Sequence, residues 1–180
     1  MRVKRLFDLA GAAGSLVFFL PAMMLVALAI VLDDGLPLFF RQERLGQRRR
    51  RFTILKFRSM RDGQVTRVGR VLRHTGLDEL AQFINVLRGD MSAVGPRPLT
   101  DADIARLGWS GPHYDDRWRV PPGLTGLAQV VGSNASRASL FLDRAYIARR
   151  SVWLDIRLIA ASFAINALGK RRARELLVRR

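Results

Sequence analysis

The chain has 180 residues, with 31 lysines and arginines against 15 aspartates and glutamates, for a formal net charge of +16. It contains no cysteine, which excludes disulfides and thiolate metal sites and leaves the compartment unread by redox chemistry. The length allows one domain with a real core plus an appendage. All but three of the basic residues (Lys4, Lys56 and Lys170) are arginines, whose planar guanidinium pairs with phosphate oxygens. Such a charge favours polyanionic partners: nucleic acid, anionic lipid or nucleotide-like substrates.

The first element is apolar. Leu9 to Leu32 carries no charge over 24 residues, which as a helix reaches about 36 Å, enough for a hydrocarbon core of about 30 Å. The run is too long for a signal-peptide core, and no small-residue cleavage site follows it. Pro21 falls near its middle, where a missing N–H and a steric clash predict a kink. Basic residues flank it on both sides: Arg2, Lys4 and Arg5 before it, Arg41, Arg44 and Arg48 to Arg51 after it. That symmetry favours both ends on the cytoplasmic side. A kinked helix returning to the leaflet it entered fits both observations, and a single-pass anchor with a tolerated proline remains the alternative.

Beyond Asp33-Asp34-Gly35, Pro37 to Phe40 reads as a short extended stretch, and Gln47 to Arg51 as a charged loop at headgroup level. Phe52 to Phe57 alternates as a strand does. Met60 to Thr66 is polar and reads as a surface loop. From Leu77 the spacing predicts a helix: Leu77, Leu80, Ala81, Ile84 and Leu87 form one stripe, and Asp78, Gln82 and Asn85 the opposite one, until Gly89-Asp90 stops it. Prolines at 96, 98, 112, 121 and 122 predict a loop-rich middle. Ser151 to Leu168 predicts an apolar helix, followed by a basic tail from Lys170 suited to anionic lipid or to water.

Asp78 and Glu79 open the predicted helix, and Thr75-Gly-Leu-Asp78 has the spacing of a capping box. The helix dipole that favours acids there also keeps a carboxylate ionised as nucleophile or metal ligand, so capping and catalysis are compatible. A carboxylate attacking a phosphate needs the phosphoryl charge neutralised by a divalent cation or by cationic side chains. Arg73, Arg97 between its two prolines, Lys56 and Arg58 are the candidates. Only two histidines, His74 and His113, are present, and there is neither a Walker loop nor a dinucleotide glycine fingerprint.

Several motifs occur in a fixed order: Lys4-Arg-Leu-Phe-Asp8, Pro37-Leu-Phe-Phe-Arg-Gln42, Lys56-Phe-Arg-Ser-Met60, Leu77-Asp-Glu-Leu80, Asn85-Val-Leu-Arg-Gly-Asp-Met91, Val94-Gly-Pro-Arg-Pro98 and Pro122-Gly-Leu-Thr-Gly126 with Ala128-Gln-Val130. With them, the chain resembles a bacterial sugar transferase of the monotopic polyprenyl-phosphate phosphoglycosyl transferase type over nearly its whole length. Leu20 before Pro21, Gly76, Ala81 and Gly132-Ser-Asn134 depart from the usual pattern without removing a catalytic group.

The resemblance implies an α-rich α+β fold with little strand. A re-entrant membrane helix broken near Pro21 (residues 1–34) would precede a small cytoplasmic catalytic domain with interfacial amphipathic helices (35–180). It implies transfer of a sugar phosphate from a UDP-sugar to polyprenyl (undecaprenyl) phosphate with release of UMP, by a ping-pong route through a phospho-aspartyl intermediate. Asp78 would be the nucleophile and a Mg²⁺ ligand, and Glu79 would orient groups or move a proton. Lys56, Arg58, Arg73 and Arg97 would hold phosphate oxygens. Expected partners are the UDP-sugar, polyprenyl phosphate and anionic lipid, with no nucleic acid, at the cytoplasmic face of the bacterial inner membrane. A homodimer, the sugar and the glycan pathway stay open.

Overall fold

The computed structural model describes residues 2–132 and 136–168. The basic tail from Lys170 and the Ser133-Asn134 departure lie outside the described residues. Helix α1 (Arg2–Asp34) holds the apolar run and passes through Pro21 as one uninterrupted helix, so the break expected there does not end the element. By length and apolar composition α1 could cross a membrane, and Val17, Phe18, Leu25 and Leu32 are among its exposed side chains.

Both ends of α1 are fastened to the rest of the chain. Near its start, Arg5 donates through Nη1 to Val86 O (2.6 Å) and through Nη2 to Leu87 O (2.9 Å), satisfying carbonyls that end a helix unpaired. Lys4 Nζ lies 2.5 Å from Asp155 Oδ2, and Asp8 accepts from Ser92 Oγ (2.8 Å) and Ala93 N (3.1 Å). At its end, Arg58 Nη2 donates to Asp34 O (2.9 Å) and Gly35 O (2.7 Å), Arg61 Nη1 donates to Asp34 O (2.7 Å), and Asp33 Oδ2 accepts from Val68 N (3.0 Å). The polar residues flanking the apolar run are therefore fasteners.

After α1, strands β1 (Phe39–Leu45) and β2 (Arg51–Phe57) form an antiparallel pair in which Phe40 faces Lys56 and Arg44 faces Phe52. The connecting charge run is docked on the protein: Arg49 pairs with Asp115 at 2.9 Å and lies 5.3 Å from the Trp118 ring. The segment read as a surface loop contains a small hairpin, β3 (Met60–Arg61) with β4 (Gln64–Val65), turning on Asp62-Gly63 at φ 48 and 79. Asp-Gly with both φ positive is a hairpin turn.

Helix α2 (Arg67–Thr75) is capped by Thr66, whose hydroxyl accepts from Gly69 N at 2.9 Å, and stops at Gly76 in the left-handed region (φ 74). The continuous helix expected from Leu77 is replaced by a 3-10 turn (Leu77–Glu79) leading into α3 (Gln82–Arg88), which ends at Gly89 as expected. The capping box read at Thr75 does not form: its hydroxyl donates back to Val71 O and Leu72 O.

Strand β5 (Ser92–Val94) runs parallel to β6 (Gly123–Thr125), the two lying side by side at Ser92–Gly123 and Val94–Thr125. Between them come α4 (Asp101–Leu107), opened by a true capping box of Thr100 and Asp103, and a 3-10 segment, Pro112–Arg119. Three glycines press β5 and β6 together, for a Cβ on Gly123 would lie 2.0 Å from Gly95 N, and one on Gly126 2.2 Å from Gly95 O. Helices α5 (Leu127–Val131), α6 (Ser136–Arg149) and α7 (Val152–Leu168) close the described chain. The proline-rich middle is thus more ordered than its composition suggests, and α6 was not foreseen.

The core forms around β2. On one side Val26 and Ile30 of α1 meet Leu55, Phe57, Leu72, Leu80 and Ala81; on another Ala12 meets Ile54, Val86 and Met91. Both halves of α1 thus pack on one unit. The helix-rich, strand-poor architecture agrees with the expected α+β class.

Candidate active site

Asp78 and Glu79 sit in the 3-10 turn between α2 and α3, a short turn that points neighbouring side chains differently. Asp78 is 8% exposed, whereas the Glu79 side chain is about half exposed and lies 2.5 Å from Lys56 Nζ. Lys56 arrives from β2, whose core contacts at Leu55 and Phe57 leave the intervening residue on the opposite face.

The Asp78 carboxyl is held above the ordinary aspartate range. Burial is the main cause and the charge of Glu79 adds to it, while Lys56, its own backbone N–H and Arg73 oppose it. One lysine therefore serves both acids: it is bonded to Glu79 and tempers the burial of Asp78. Arg73, at the end of α2, is exposed, close enough to act on Asp78, and donates to Met60 Sδ at 3.1 Å.

The structure thus brings Asp78, Glu79, Lys56 and Arg73 together. It does not bring Arg58, which is buried against the carbonyls and carboxylate that end α1. Its role as a phosphate ligand is replaced by an anchoring one, because a buried arginine is stable only when paired.

Arg97 is exposed on the loop after β5 and has no side-chain hydrogen bond or ion pair among the described residues. Its charge acts on Arg44, whose guanidinium lies below its usual value through burial first, with Asp103 opposing and Arg97 contributing. Arg44 stands four positions along β1 from Phe40, the partner of Lys56, about 13 Å at strand spacing. The cations therefore form two groups along one hairpin, Lys56 and Arg73 at the dyad and Arg44 and Arg97 farther along.

Two residues of the expected polar stripe have roles that spacing alone does not reveal. Asn85 is fully buried and docks on the outer edge of β2, accepting from Leu55 N at 3.0 Å and donating to Thr53 O at 2.7 Å. Gln82, 3% exposed and four residues after Asp78, keeps its amide Nε2 without a hydrogen-bond partner. An unpaired buried donor is costly, and among the described residues this one has no partner although it lies only four positions from Asp78.

The lysine between two carboxylates makes a pH prediction. Lys56→Met removes a charge that favours ionised Asp78, so the acid limb of the pH–activity profile moves to higher pH. Glu79→Gln removes a charge that disfavours it, so that limb moves to lower pH. Profiles measured at constant divalent-ion concentration check both, and equal limbs in the two variants contradict the assignment.

A helix long and apolar enough to cross a membrane, fastened at both ends to a small helical domain that sets an acidic pair beside Lys56 and Arg73, points to the class of membrane-associated proteins. Residues 1–168 match the bacterial sugar transferase family, and the chain belongs to it. Among relatives, it is 41% identical over 177 residues to the UDP-glucose:undecaprenyl-phosphate glucose-1-phosphate transferase of Caulobacter vibrioides, covering 87% of this chain and 66% of that protein. It is 41% identical over 184 residues to the undecaprenyl-phosphate glucose phosphotransferase of Komagataeibacter xylinus, covering 88% of this chain and 35% of that protein. The exopolysaccharide production protein PSS of Rhizobium leguminosarum bv. phaseoli is 36% identical over 184 residues, covering 87% of this chain and 91% of that protein. The chain thus spans from about a third to most of the length of the curated relatives it matches.

Proposed function

We propose that this protein transfers a sugar 1-phosphate from a UDP-sugar to undecaprenyl phosphate in polysaccharide synthesis, at the cytoplasmic face of the bacterial inner membrane. The observation that carries the proposal is the dyad itself: a mostly buried carboxylate beside a lysine-paired one, within a chain of the sugar transferase family. The Caulobacter and Komagataeibacter relatives are named for glucose transfer, and the sugar used here is left to experiment.

The chemistry runs in two displacements. An oxygen of Asp78 attacks the phosphorus bearing the sugar; the new O–P bond forms as the bridging P–O bond breaks, and UMP leaves with that electron pair. A phosphate oxygen of the lipid then attacks the same phosphorus, the aspartyl O–P bond breaks, and the Asp78 carboxylate is regenerated. Lys56 and Arg73 offset the charge at the reacting phosphorus, and Arg97 meets the more distant part of the nucleotide. Burial favours the attack by removing water from the nucleophile. Raising the carboxyl's pKa also strengthens it as a base, provided the working pH keeps it ionised.

Mg²⁺ fits this site. Its usual ligands are one or two carboxylates completed by substrate phosphates and water, and the described residues offer the dyad without a group of three or more acids or histidines. Asp78 would hold the ion, which when bound neutralises phosphoryl charge.

The re-entrant placement of α1 is supported by its attachments. Lys4, Arg5 and Asp8 at one end and Asp33 and Asp34 at the other bind the same domain, whereas a spanning helix would carry one end across about 30 Å of hydrocarbon. The exposed apolar face of α1 fits lipid, and with its arginines the protein suits an anionic surface.

Activity is tested by incubating purified protein with Mg²⁺, undecaprenyl phosphate and a panel of UDP-sugars and measuring UMP. Release above an Asp78→Asn control with at least one sugar is expected, and none with any sugar rejects the proposal. Topology is tested separately, since the chain has no native cysteine. Arg2→Cys and Ser110→Cys variants in intact cells should both resist a membrane-impermeant maleimide, and labelling of either one refutes the re-entrant placement.

A further inference from the structure

The segment Pro96–Pro98 has all three of its carbonyls bound. Pro96 O accepts from Gly123 N at 2.9 Å, Arg97 O from Arg117 Nη2 at 2.6 Å, and Pro98 O from Arg44 Nη1 at 3.3 Å. The two prolines fix their own φ, and a residue before proline is confined to extended conformations. Arg97 therefore has a stiff backbone beneath an exposed guanidinium that is unpaired among the described residues.

Arg117 is of another kind. It is 3% exposed, its Nε donates to Asp143 Oδ2 at 2.8 Å, and its guanidinium carbon lies 5.3 Å from the Trp109 ring and 5.0 Å from the Trp118 ring. Asp143 comes from α6 and is equally buried. No substrate phosphate reaches a cation so enclosed, and Asp143 already neutralises it.

We propose that Arg117 is a positioning residue: held against two indoles and paired with Asp143, it grips the Arg97 carbonyl and so aims the Arg97 side chain at the phosphates of the nucleotide donor. This rests on the reading of Arg97 as a phosphate-binding group. The planar fork of arginine makes the arrangement possible, because Nε and Nη2 reach two acceptors while the guanidinium carbon lies over two indole rings. Lysine offers one point charge and cannot do all three.

The test uses UDP as probe, with equilibrium binding to the full chain in lipid nanodiscs. Arg97→Ala should weaken binding about tenfold, the loss of one charge-assisted contact, and Arg117→Lys about three- to tenfold. The double variant should bind no more weakly than Arg97→Ala alone, since Arg117 acts only through Arg97; a merely structural role would weaken binding equally in both backgrounds. If Arg117→Lys fails to fold by circular dichroism, Asp143→Asn decides: it should weaken binding about threefold, and not at all beside Arg97→Ala. Unchanged binding in Arg97→Ala removes the phosphate reading of Arg97 and this proposal with it. A weakened Arg97→Ala beside Arg117 or Asp143 variants that are neutral or additive overturns this proposal alone.

Discussion

Asp78→Asn should lower UMP release by about 10³-fold or more, the scale on which removal of a covalent nucleophile acts. The substitution keeps the size of the side chain and most of its packing, so the fold should survive, and a thermal midpoint close to wild type checks this. Removing the negative charge also ends its burial cost and its repulsion with Glu79 together with its attraction to Lys56, effects of opposite sign on stability. Glu79→Gln should lose much less, because its carboxylate is half exposed and bonded to Lys56 rather than buried at the turn. The two variants separate further in partial reactions. With donor alone and a label on its sugar phosphate, wild type and Glu79→Gln should retain label on the protein, and Asp78→Asn none. Label retained by Asp78→Asn would move the nucleophile elsewhere.

The second large effect concerns stability. Asn85→Ala should cost about 1–4 kcal/mol, because it strands the buried Leu55 N–H at about 1–3 kcal/mol and removes a weaker, part-buried bond to Thr53 O. Leu55 N loses its acceptor and Thr53 O its donor, and the contact of the Asn85 amide with Asp90 Oδ2 at 3.2 Å goes with them. Water cannot readily replace a side chain with no exposed surface. Since Leu55 precedes Lys56, activity should fall together with stability. Chemical denaturation measures the loss, and a cost below about 1 kcal/mol would mean that the β2 edge finds other partners.

The legibility of this chain in its sequence follows the range of the interactions involved. Strand β2 and the stop at Gly89 depend on side-chain alternation and on a residue that tolerates positive φ, both local properties. The capping spacing at Thr75 was misleading because Gly76 takes the left-handed conformation and ends α2, turning one expected helix into a turn plus a helix. The Asp62-Gly63 hairpin carried a local signal that its polar surroundings obscured. Arg58 could not be assigned locally: beside a strand next to a lysine it resembles a phosphate ligand, and only the fold brings it to the end of α1. Arg117 gives no sequence sign at all, since its partners Arg97 and Asp143 lie 20 and 26 residues away. The ordered motifs revealed the dyad and its lysine, whereas the split of the cations into two groups along one hairpin required the register of β1 on β2.

The clamps on α1 also bear on how the two substrates meet. In the proposed placement, Asp34 holds Arg58 and Arg61 while Arg58 and Lys56 lie two residues apart, so the dyad's lysine is tied through few covalent bonds to the point where the chain leaves the lipid. On that proposal the Asp78 carboxylate would keep a near-constant height above the bilayer. A lipid phosphate diffusing in the plane would then reach that height without being lifted, while the soluble nucleotide would approach from the water, so each proposed displacement would draw on its own supply.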